Sequence, residues 1–176
     1  MTRIIHPSAV IAKSAILGER VTISPFCVIG ENAVVADGSI LGSGCILAAA
    51  VKVGADSRLG NHVTLGEQTV LENKVTIDDH TTVYPRTVIG EGTYIGSNSV
   101  IGRPPRASAT STVKSQENLP ALKMGSNCII GSLAVIYAGT VLEEGVFVGD
   151  RSLIRERCEI GMKVVVGSGC ADRKSV

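Results

Sequence analysis

Histidine is the residue type in this chain best suited to general-base chemistry, because an imidazole titrates near neutral pH and can accept the proton of an attacking hydroxyl or amine. The 176 residues include three histidines, His6, His62 and His80. Asp78 and Asp79 directly precede His80, so either carboxylate could orient its imidazole. We expect His80 to be the base, His62 to be a second catalytic residue and Asp79 to belong to the same site. The alternative is a pair of surface histidines.

Arginines around one irregular segment form the second candidate group. Residues 102–123 contain three of the six prolines and carry four basic residues against one acidic residue. Guanidinium groups bind phosphates in bidentate geometry, so we expect Arg103 and Arg106 to contact the phosphate or pyrophosphate of a substrate. The alternative is a surface insertion without a function. The other residues predicted to bind a substrate or donor are Asp79, Tyr84, Tyr137, Arg155 and Glu156.

A repeat of six residues predicts the elements that position these groups. The anchor residues of the repeat, nearly all Ile, Leu or Val, are Ile5, Ile11, Leu17, Ile23, Ile29, Val35, Leu41, Leu47, Val53, Leu59, Leu65, Leu71, Ile77, Val83, Ile89, Ile95, Ile101, and then Met124, Ile130, Ile136, Leu142, Val148, Ile154, Ile160 and Val166. The next step would be Asp172, where the pattern stops. A helix would rotate a six-residue stripe away from one face, whereas short strands joined by tight corners keep it inside a solenoid. Successive coils should stack by parallel strand pairing at about 4.8 Å.

Two other positions of the repeat are restricted. The residue after each anchor is often glycine, which suits a corner with positive φ or with crowded backbones. The fourth residue after each anchor is small or β-branched, so this position should lie where space is tight. No CxxC pair is present, and we interpret the cysteines as small packing residues rather than metal ligands. All of them occupy the fourth position: Cys27, Cys45, Cys128, Cys158 and Cys170.

The repeat resembles that of the hexapeptide-repeat acyltransferases. Matching positions cover residues 5–101 and 124–167, and the strings at His6-Pro7 and Ile154-Arg155-Glu156 are similar to segments of the sugar acyltransferases of lipid A synthesis and their relatives. The resemblance implies an all-β fold, a left-handed parallel β-helix that forms a triangular prism of about eight coils. It divides one domain into coils over residues 1–101, an extruded basic loop over 102–123, and coils with a tail over 124–176.

In that family three repeats, or 18 residues, make one coil, which places the candidate residues relative to one another. His62 and His80 should then stack on one face, one strand spacing apart. If Met124 resumes the register that would have reached residue 107, the loop adds 17 residues. The loop should leave the prism one corner along from His80. The predicted column at that corner comprises Tyr84, Gly102, Tyr137 and Arg155.

The resemblance also implies an activity. An acyl group would pass from acyl-CoA or an acyl carrier protein to the hydroxyl or amine of a sugar or nucleotide-sugar, within a homotrimer that builds each site between two prisms. The acyl donor is a co-substrate, and neither another cofactor nor a metal is expected. Arg155 and Glu156 should point outward, either as an acceptor or subunit contact or as a salt bridge at the trimer interface.

Two alternatives to the transferase remain open. The first alternative is a non-catalytic trimeric scaffold or a degenerate transferase. Its support is that no histidine follows His80, whereas the lipid A enzyme has its catalytic histidine after the Ile-Arg-Glu segment. A zinc enzyme similar to the γ-carbonic anhydrases could use His62 and His80 as two ligands. Its third ligand and the His-xxxx-His spacing of that family are missing.

Composition excludes several other classes. The formal net charge is +1, so nothing draws the whole chain toward nucleic acid. No apolar run approaches the roughly 18–20 residues that cross a bilayer, and the N-terminus lacks the apolar run of a signal peptide. We therefore expect a cytoplasmic protein without a membrane span that binds small molecules.

Overall fold

The chain forms short strands joined by tight corners. The computed structural model describes residues 2–106 and 119–172, so part of the predicted loop, with Lys114 and Glu117, and the tail residues 173–176 lie outside the described residues. Within the described part there are 26 strands and no helix. In chain order the strands are β1 (Ile4–Ile5), β2 (Val10–Ile11), β3 (Ile16–Leu17), β4 (Thr22–Ile23), β5 (Val28–Ile29), β6 (Val34–Val35), β7 (Ile40–Leu41), β8 (Ile46–Leu47), β9 (Lys52–Val53), β10 (Arg58–Leu59), β11 (Thr64–Leu65), β12 (Val70–Leu71), β13 (Thr76–Ile77), β14 (Thr82–Val83), β15 (Val88–Ile89), β16 (Tyr94–Ile95), β17 (Val100–Arg103), β18 (Lys123–Met124), β19 (Ile129–Ile130), β20 (Val135–Tyr137), β21 (Val141–Leu142), β22 (Phe147–Val148), β23 (Leu153–Ile154), β24 (Glu159–Ile160), β25 (Val165–Val166) and β26 (Ala171–Asp172).

Every third strand joins the same sheet, so the chain winds around a three-sided prism. Sheet 1 contains nine strands from β1 to β25, sheet 2 contains nine strands from β2 to β26, and sheet 3 contains eight strands from β3 to β24. Neighbouring strands in each sheet are parallel, as in β10 with β13, β11 with β14 and β12 with β15. The architecture is the left-handed parallel β-helix of about eight coils that the resemblance implies.

The strand register measures the length of the insertion. Paired residues in regular coils are 18 positions apart, as in Thr64 with Thr82. Across the loop the offset becomes 35, as in Val88 with Lys123. The difference confirms the predicted insertion of 17 residues.

Each two-residue strand places one side chain inside the prism and one outside. In β13 the anchor Ile77 is fully buried, whereas Thr76 is half-buried on the outer surface. Repetition of this arrangement stacks the anchors into ladders along the interior. Burial of these aliphatic side chains removes apolar surface from water, which is the main driving force for folding.

Three corners connect the sheets: corner 1 follows each strand of sheet 1, corner 2 each strand of sheet 2 and corner 3 each strand of sheet 3. From Arg20 onward, the residues with positive φ are the third after an anchor, with one departure among the described residues. The departure is Gly102, which has a φ of +78° and directly follows its anchor Ile101.

Glycine directly after an anchor is required by crowding rather than by a positive φ. A Cβ at Gly54 would lie 2.4 Å from the carbonyl carbon of Glu72 in the next coil. Glycine allows the two backbones to approach this closely. Of the two explanations that the sequence left open, crowded backbones hold for the regular coils and positive φ holds at Gly102.

The fourth position after the anchor is buried from Val21 to Ser99 and from Cys128 to Cys158, and hydrogen bonds allow it to hold polar side chains. A Ser, Thr or Cys at this position donates to the carbonyl oxygen of the residue 15 positions later in regular coils, as Ser39 does to Gly54 at 2.9 Å. All five cysteines are free, and four are buried. Cys170 is exposed, so the packing interpretation is wrong for that residue, which lies in the last described corner.

Strand pairing continues past the last predicted anchor. In β26, Asp172 pairs with Ile154 of β23. The prediction that the pattern stops at Asp172 is therefore wrong for the backbone. Parallel pairing uses backbone N–H and C=O groups, which every residue other than proline supplies whatever its side chain.

Candidate functional site

Corner 1 carries the histidine pair. His62 and His80 each occupy the third position after an anchor, with φ values of +55° and +60°. Both side chains are exposed on the same ridge of the prism. Their ring centroids are 5.1 Å apart with an interplanar angle of 11°. The predicted stack of the two imidazoles, about one strand spacing apart, is confirmed.

A glycine in the preceding coil makes room for this stack. Gly44 occupies the same ridge position one coil before His62 and has a φ of +69°. A Cβ on Gly44 would lie 2.5 Å from Nδ1 of His62. The absence of a side chain at this position therefore lets the His62 ring lie over the turn below.

The two aspartates beside the pair form hydrogen bonds with other groups. Oδ1 of Asp79 accepts from the backbone N–H of Asn61 at 2.6 Å, and Asn61 Oδ1 accepts in the same way from the backbone N–H of Ser43. Asp78 accepts a hydrogen bond from the Tyr94 hydroxyl, and this bond raises the pKa of Tyr94. In the described part of the chain, neither carboxylate is hydrogen-bonded to an imidazole.

Corner 2 departs from the regular repeat at the point where the loop leaves the prism. A register shift between Ile101 and Arg103 makes Arg103 the partner of Tyr137. The predicted column placed Gly102 beside Tyr137, and this is wrong by one residue. The extra residue is a bulge, which bends a strand and ends its regular pairing.

Two guanidinium groups lie over one tyrosine ring at this corner. The guanidinium carbon of Arg103 is 5.8 Å from the ring centroid of Tyr137, and that of Arg155 is 5.1 Å from the same centroid. Both distances fall within the range of cation–π attraction. The bulge therefore has a chemical consequence, because it brings the first arginine of the loop to the tyrosine.

The two arginines differ in their ionic partners. Arg155 donates through Nε and Nη2 to the two carboxylate oxygens of Glu156 at 2.7 and 2.8 Å. This hydrogen bonding raises the pKa of Arg155 and lowers the pKa of Glu156. Arg103 and Arg106 are exposed, and neither forms an ion pair within residues 2–106 and 119–172. Arg103 is therefore a cation held on an aromatic ring with no acidic partner in that part of the chain.

Thr87 is a feature of corner 2 that sequence reasoning missed. Its side chain is fully buried, and Oγ1 has no hydrogen-bond partner in the described structure. The regular repeat would give it the carbonyl oxygen of Gly102, 15 positions later. The positive φ of Gly102 disrupts that arrangement, and a Cβ on Gly102 would lie 2.4 Å from the Thr87 hydroxyl. The sequence did contain a signal for this feature: Thr87 occupies the fourth position after an anchor, and Gly102 lies where the loop leaves the prism.

The structure brings the predicted residues into two groups rather than one. His62 and His80 form the first, with Asp79 beside them, and the second comprises Arg103, Tyr137, Arg155 and Glu156. Tyr84 is half-buried at corner 2, and Arg106 extends from it without a described contact. His80 and Tyr84 are four positions apart in sequence, so their Cα atoms are at most about 14 Å apart. No hydrogen bond, ion pair or ring contact joins the two groups within the described residues.

Two further observations concern metals and membranes. Within residues 2–106 and 119–172, no group of three or more His, Cys, Asp or Glu side chains is placed to hold a metal ion. The same residues include no helix of the length and apolar character needed to cross a membrane.

Two family models match the chain. Residues 2–84 match the GMPPB C-terminal domain, and residues 68–103 match the bacterial transferase hexapeptide, a model of six repeats. Each match covers less than half of the chain, and the second agrees with the 18-residue register of the coils. The chain therefore resembles the hexapeptide-repeat family over residues 68–103. No curated protein sequence matches it.

Two solved structures of acyltransferases share the fold of this chain. UDP-N-acetylglucosamine acyltransferase from Francisella novicida is 15% identical with a TM-score of 0.60, over 94% of this chain and 67% of that one. The enzyme of the same name from Bacteroides fragilis is 22% identical with a TM-score of 0.55, over 97% and 68%. GDP-perosamine N-acetyltransferase from Caulobacter crescentus is 30% identical with a TM-score of 0.41, over 54% of this chain. The match spans about half of the Caulobacter enzyme, 48% of its length.

Proposed function

We propose that this chain is an acyltransferase that moves an acyl group from acyl-CoA or an acyl carrier protein to a hydroxyl or amine of a sugar or nucleotide-sugar. The observation that carries the proposal is the stacked pair of exposed imidazoles on one ridge of the prism. The names of the solved structures that share the fold support the same reaction class.

In the proposed reaction, His80 removes a proton from the acceptor as its oxygen or nitrogen attacks the thioester carbonyl carbon. The new C–O or C–N bond forms a tetrahedral intermediate, and the C–S bond then breaks. The thiol leaves with the proton that His80 had accepted, so the imidazole returns to its starting state. His62 stacks on His80 and keeps its ring in place, and Asp79 holds the turn that carries both.

Corner 2 supplies the charges for this proposal. Arg103, held on the Tyr137 ring without an acidic partner among the described residues, binds a phosphate of the donor or acceptor, and Arg106 assists. Arg155 is already neutralised by Glu156, so it positions the ring rather than the phosphate. Because sheet 2 lies between the two corners of one chain, the proposed site combines corners of neighbouring prisms in a homotrimer.

A thioester assay tests the proposal. Thiol release from acetyl-CoA, longer acyl-CoAs and an acylated carrier protein is followed with UDP- and GDP-linked sugars and amino sugars as acceptors. We expect acceptor-dependent thiol release from one donor, and a ligand-dependent rise in melting temperature for that donor because it binds the folded state. Absence of both with every donor and acceptor would contradict the proposal.

A matched pair of variants tests the assignment of the base. His80→Asn removes the imidazole but retains a residue that tolerates the left-handed turn, and Arg151→Asn makes the same change three coils along the ridge. We expect the first variant to bind donor without discharging it and the second to behave as wild type. Equal thiol release by both variants would exclude His80 as the base.

A non-catalytic trimer is the second candidate function. The hydrogen bonds of Asp78 and Asp79 to groups other than the histidines favour it, because neither carboxylate orients an imidazole. A trimer that binds no thioester and releases no thiol would identify the protein as such a scaffold. Variants with Asp78→Asn or Asp79→Asn serve as controls.

A further inference from the structure

One corner of the first coil holds a serine hydroxyl against an imidazole. Nδ1 of His6 lies 2.8 Å from Oγ of Ser8, and the backbone N–H of Ser8 donates to the same nitrogen at 3.2 Å. In the neutral ring, Nδ1 is therefore the nitrogen without a proton, and Nε2 carries the proton. The Ser8 hydroxyl must then donate to Nδ1, so its proton already points at a base. This is the arrangement of an activated nucleophile.

A second hydrogen bond orients the Ser8 oxygen. The backbone N–H of Phe26, in the next coil, donates to Oγ of Ser8 at 3.0 Å. A hydroxyl oxygen has two lone pairs, so one of them remains for attack on carbon. An N–H donor also stabilises the negative charge that grows on Oγ as His6 takes the proton. His6 is exposed and Ser8 is half-buried, so a small molecule can reach both groups.

Corner 2 of the same coil provides a comparison within the molecule. Ser14 occupies the position that Ser8 has at corner 1, and its Oγ accepts from the backbone N–H of Asn32, also at 3.0 Å. In both corners the backbone N–H of the residue after the serine donates to the carbonyl of the residue two before it, at 3.0 Å. That earlier residue is Ala12 at corner 2 and His6 at corner 1. The serine thus supports the turn at both corners, whereas the imidazole is present at one of them.

Exposed apolar side chains flank the Ser8 hydroxyl. Phe26 is 71% exposed, Ile4 66% and Val10 64%. Ile4 precedes the imidazole by two residues on β1, and Val10 follows the serine by two residues on β2. Phe26 has a φ of +60°, a conformation that bulky residues rarely adopt and that is found at sites where strain serves a function. An acyl chain that covers these side chains removes their apolar surface from water.

We infer that Ser8 is a nucleophile activated by His6, and that it takes up the acyl group of an activated ester or thioester whose acyl chain is apolar. Oγ attacks the carbonyl carbon, and the Oγ–C bond forms as the hydroxyl proton passes to Nδ1 of His6. The bond from that carbon to the leaving oxygen or sulfur then breaks, and the leaving group takes the proton from His6. The products are an acylated Ser8 and a free phenol, alcohol or thiol. The inference goes beyond the proposed transferase, because it needs neither a sugar acceptor nor His80.

Acetylation by p-nitrophenyl acetate tests the nucleophile. After a short exposure and an acid quench, trypsin releases residues 4–13, with Ser8 as their one hydroxyl, and residues 14–20, with Ser14 as theirs. We expect mass spectrometry to show acetyl on Ser8 about 10²-fold faster than on Ser14, at the lower end of the usual contribution of a general base. His6→Ala, which gives corner 1 the residue found at corner 2, should reduce the rate at Ser8 to that at Ser14. Equal rates at the two serines of wild type, or an unchanged rate at Ser8 in His6→Ala, would overturn the inference.

Release of p-nitrophenol covers the case in which the Ser8 ester is hydrolysed before the quench. Wild type should then release phenol faster than Ser8→Ala, although little acetyl accumulates. No acetyl on Ser8 together with equal release by wild type and Ser8→Ala would overturn the inference. Melting temperatures establish that both variants are folded. Failure of the transferase proposal is distinguishable, because acceptor-dependent thiol release would be absent while Ser8 was still acetylated.

The length of the acyl chain tests the apolar surroundings. We expect Phe26→Asn to lower the rate with p-nitrophenyl hexanoate by about three- to tenfold and to change the rate with the acetate little, because the longer chain loses an apolar contact. Asn tolerates a positive φ, and the backbone N–H that donates to Ser8 is retained. Leu133→Asn is the matched control, since Leu133 has a φ of +59° and is 53% exposed at the same turn position of corner 1, six coils from Ser8. Equal losses with hexanoate in the two variants would overturn the preference for an apolar acyl chain.

Discussion

Corner 1 and corner 2 are built from the same six-residue repeat, but they present chemistry in different ways. At corner 1 the backbone is regular throughout, and two histidines replace other residues at a turn position that recurs in every coil. At corner 2 the repeat itself is broken: Gly102 adopts a φ found at no other residue directly after an anchor, a bulge follows, and a buried hydroxyl has no partner. A regular corner can exchange side chains without a change in its backbone, whereas a broken corner gains a loop and an arginine at a cost in stability.

The largest expected effect separates the two corners by kinetics. His80→Asn should lower kcat by about 10²–10⁴-fold, the usual contribution of a general base, with little change in KM. Arg103→Gln should raise the KM for the phosphate-bearing substrate and change kcat less, because it removes binding that the ground state and transition state share. Steady-state kinetics at several substrate concentrations measure both. Arg155→Gln is the control at corner 2, since its charge is already paired, and a larger KM effect there than at Arg103 would contradict the assignment.

Glycine substitutions should reveal the difference in backbone. Gly102→Ala should reduce the free energy of unfolding by about 2–4 kcal/mol, because it combines a strained φ with overpacking against Thr87 in a buried site. Gly44→Ala has a similar φ, but its Cβ meets the exposed His62 ring, which can move. We expect a loss of about 1–2 kcal/mol there, from strain alone. Urea denaturation followed by circular dichroism measures both, and equal losses would show that the two corners have the same tolerance.

Threonine-to-valine changes compare a paired and an unpaired hydroxyl in equivalent positions. At corner 1, Thr81 Oγ1 donates to the carbonyl of Gly96 at 3.0 Å and accepts from the backbone N–H of Ser99. Thr81→Val should therefore cost about 1–3 kcal/mol, because it leaves buried backbone groups unpaired. Thr87→Val removes a hydroxyl without a partner and should be neutral or stabilising. Denaturant midpoints of the two variants, measured side by side, test this comparison. A loss of stability in Thr87→Val as large as that in Thr81→Val would indicate that the Thr87 hydroxyl has a partner, such as a bound water.

The fold could be predicted from the sequence because every coil repeats the same physical solution. The anchors determine the inward positions, and the shift of phase at Met124 gives the length of the insertion, which the register between Val88 and Lys123 confirms. The same arithmetic predicted the stack of His62 and His80, since both lie in regular coils.

What the sequence could not provide lies where the repeat ends or is broken. The six-residue repeat predicts that Gly102 lies beside Tyr137, but the bulge places Arg103 there. The sequence could not show this, because a bulge does not change the spacing of the anchors. The partners of Asp78 and Asp79 depend on side chains one coil away, Tyr94 and Asn61, rather than on their neighbours in sequence. Strand β26 formed at Asp172 because pairing needs the backbone and not the anchor.

The smallest expected effect concerns the ion pair that distinguishes Arg155 from Arg103. Hydrogen bonding to Arg155 lowers the pKa of Glu156 below its ordinary value, so the folded state favours the carboxylate. The resulting stability is fully present above the pKa that Glu156 has in the unfolded chain. It is lost as the pH falls through the lower pKa that Glu156 has in the folded protein. Because both side chains are partly exposed, at 38% and 20%, we expect no more than about 0.5 kcal/mol.

Comparison of wild type with Glu156→Gln isolates this contribution. Urea denaturation at pH 7 and at intervals below pH 5 should give a difference in the free energy of unfolding that shrinks as the pH falls. Raised salt should reduce the difference at pH 7, since exposed charges are screened. Arg103→Gln, which removes a cation without an ion-pair partner in the described part of the chain, should give no such pH dependence. A pH-dependent loss in Arg103→Gln equal to that in Glu156→Gln would mean that the carboxylate serves both arginines and that the contrast between them is wrong.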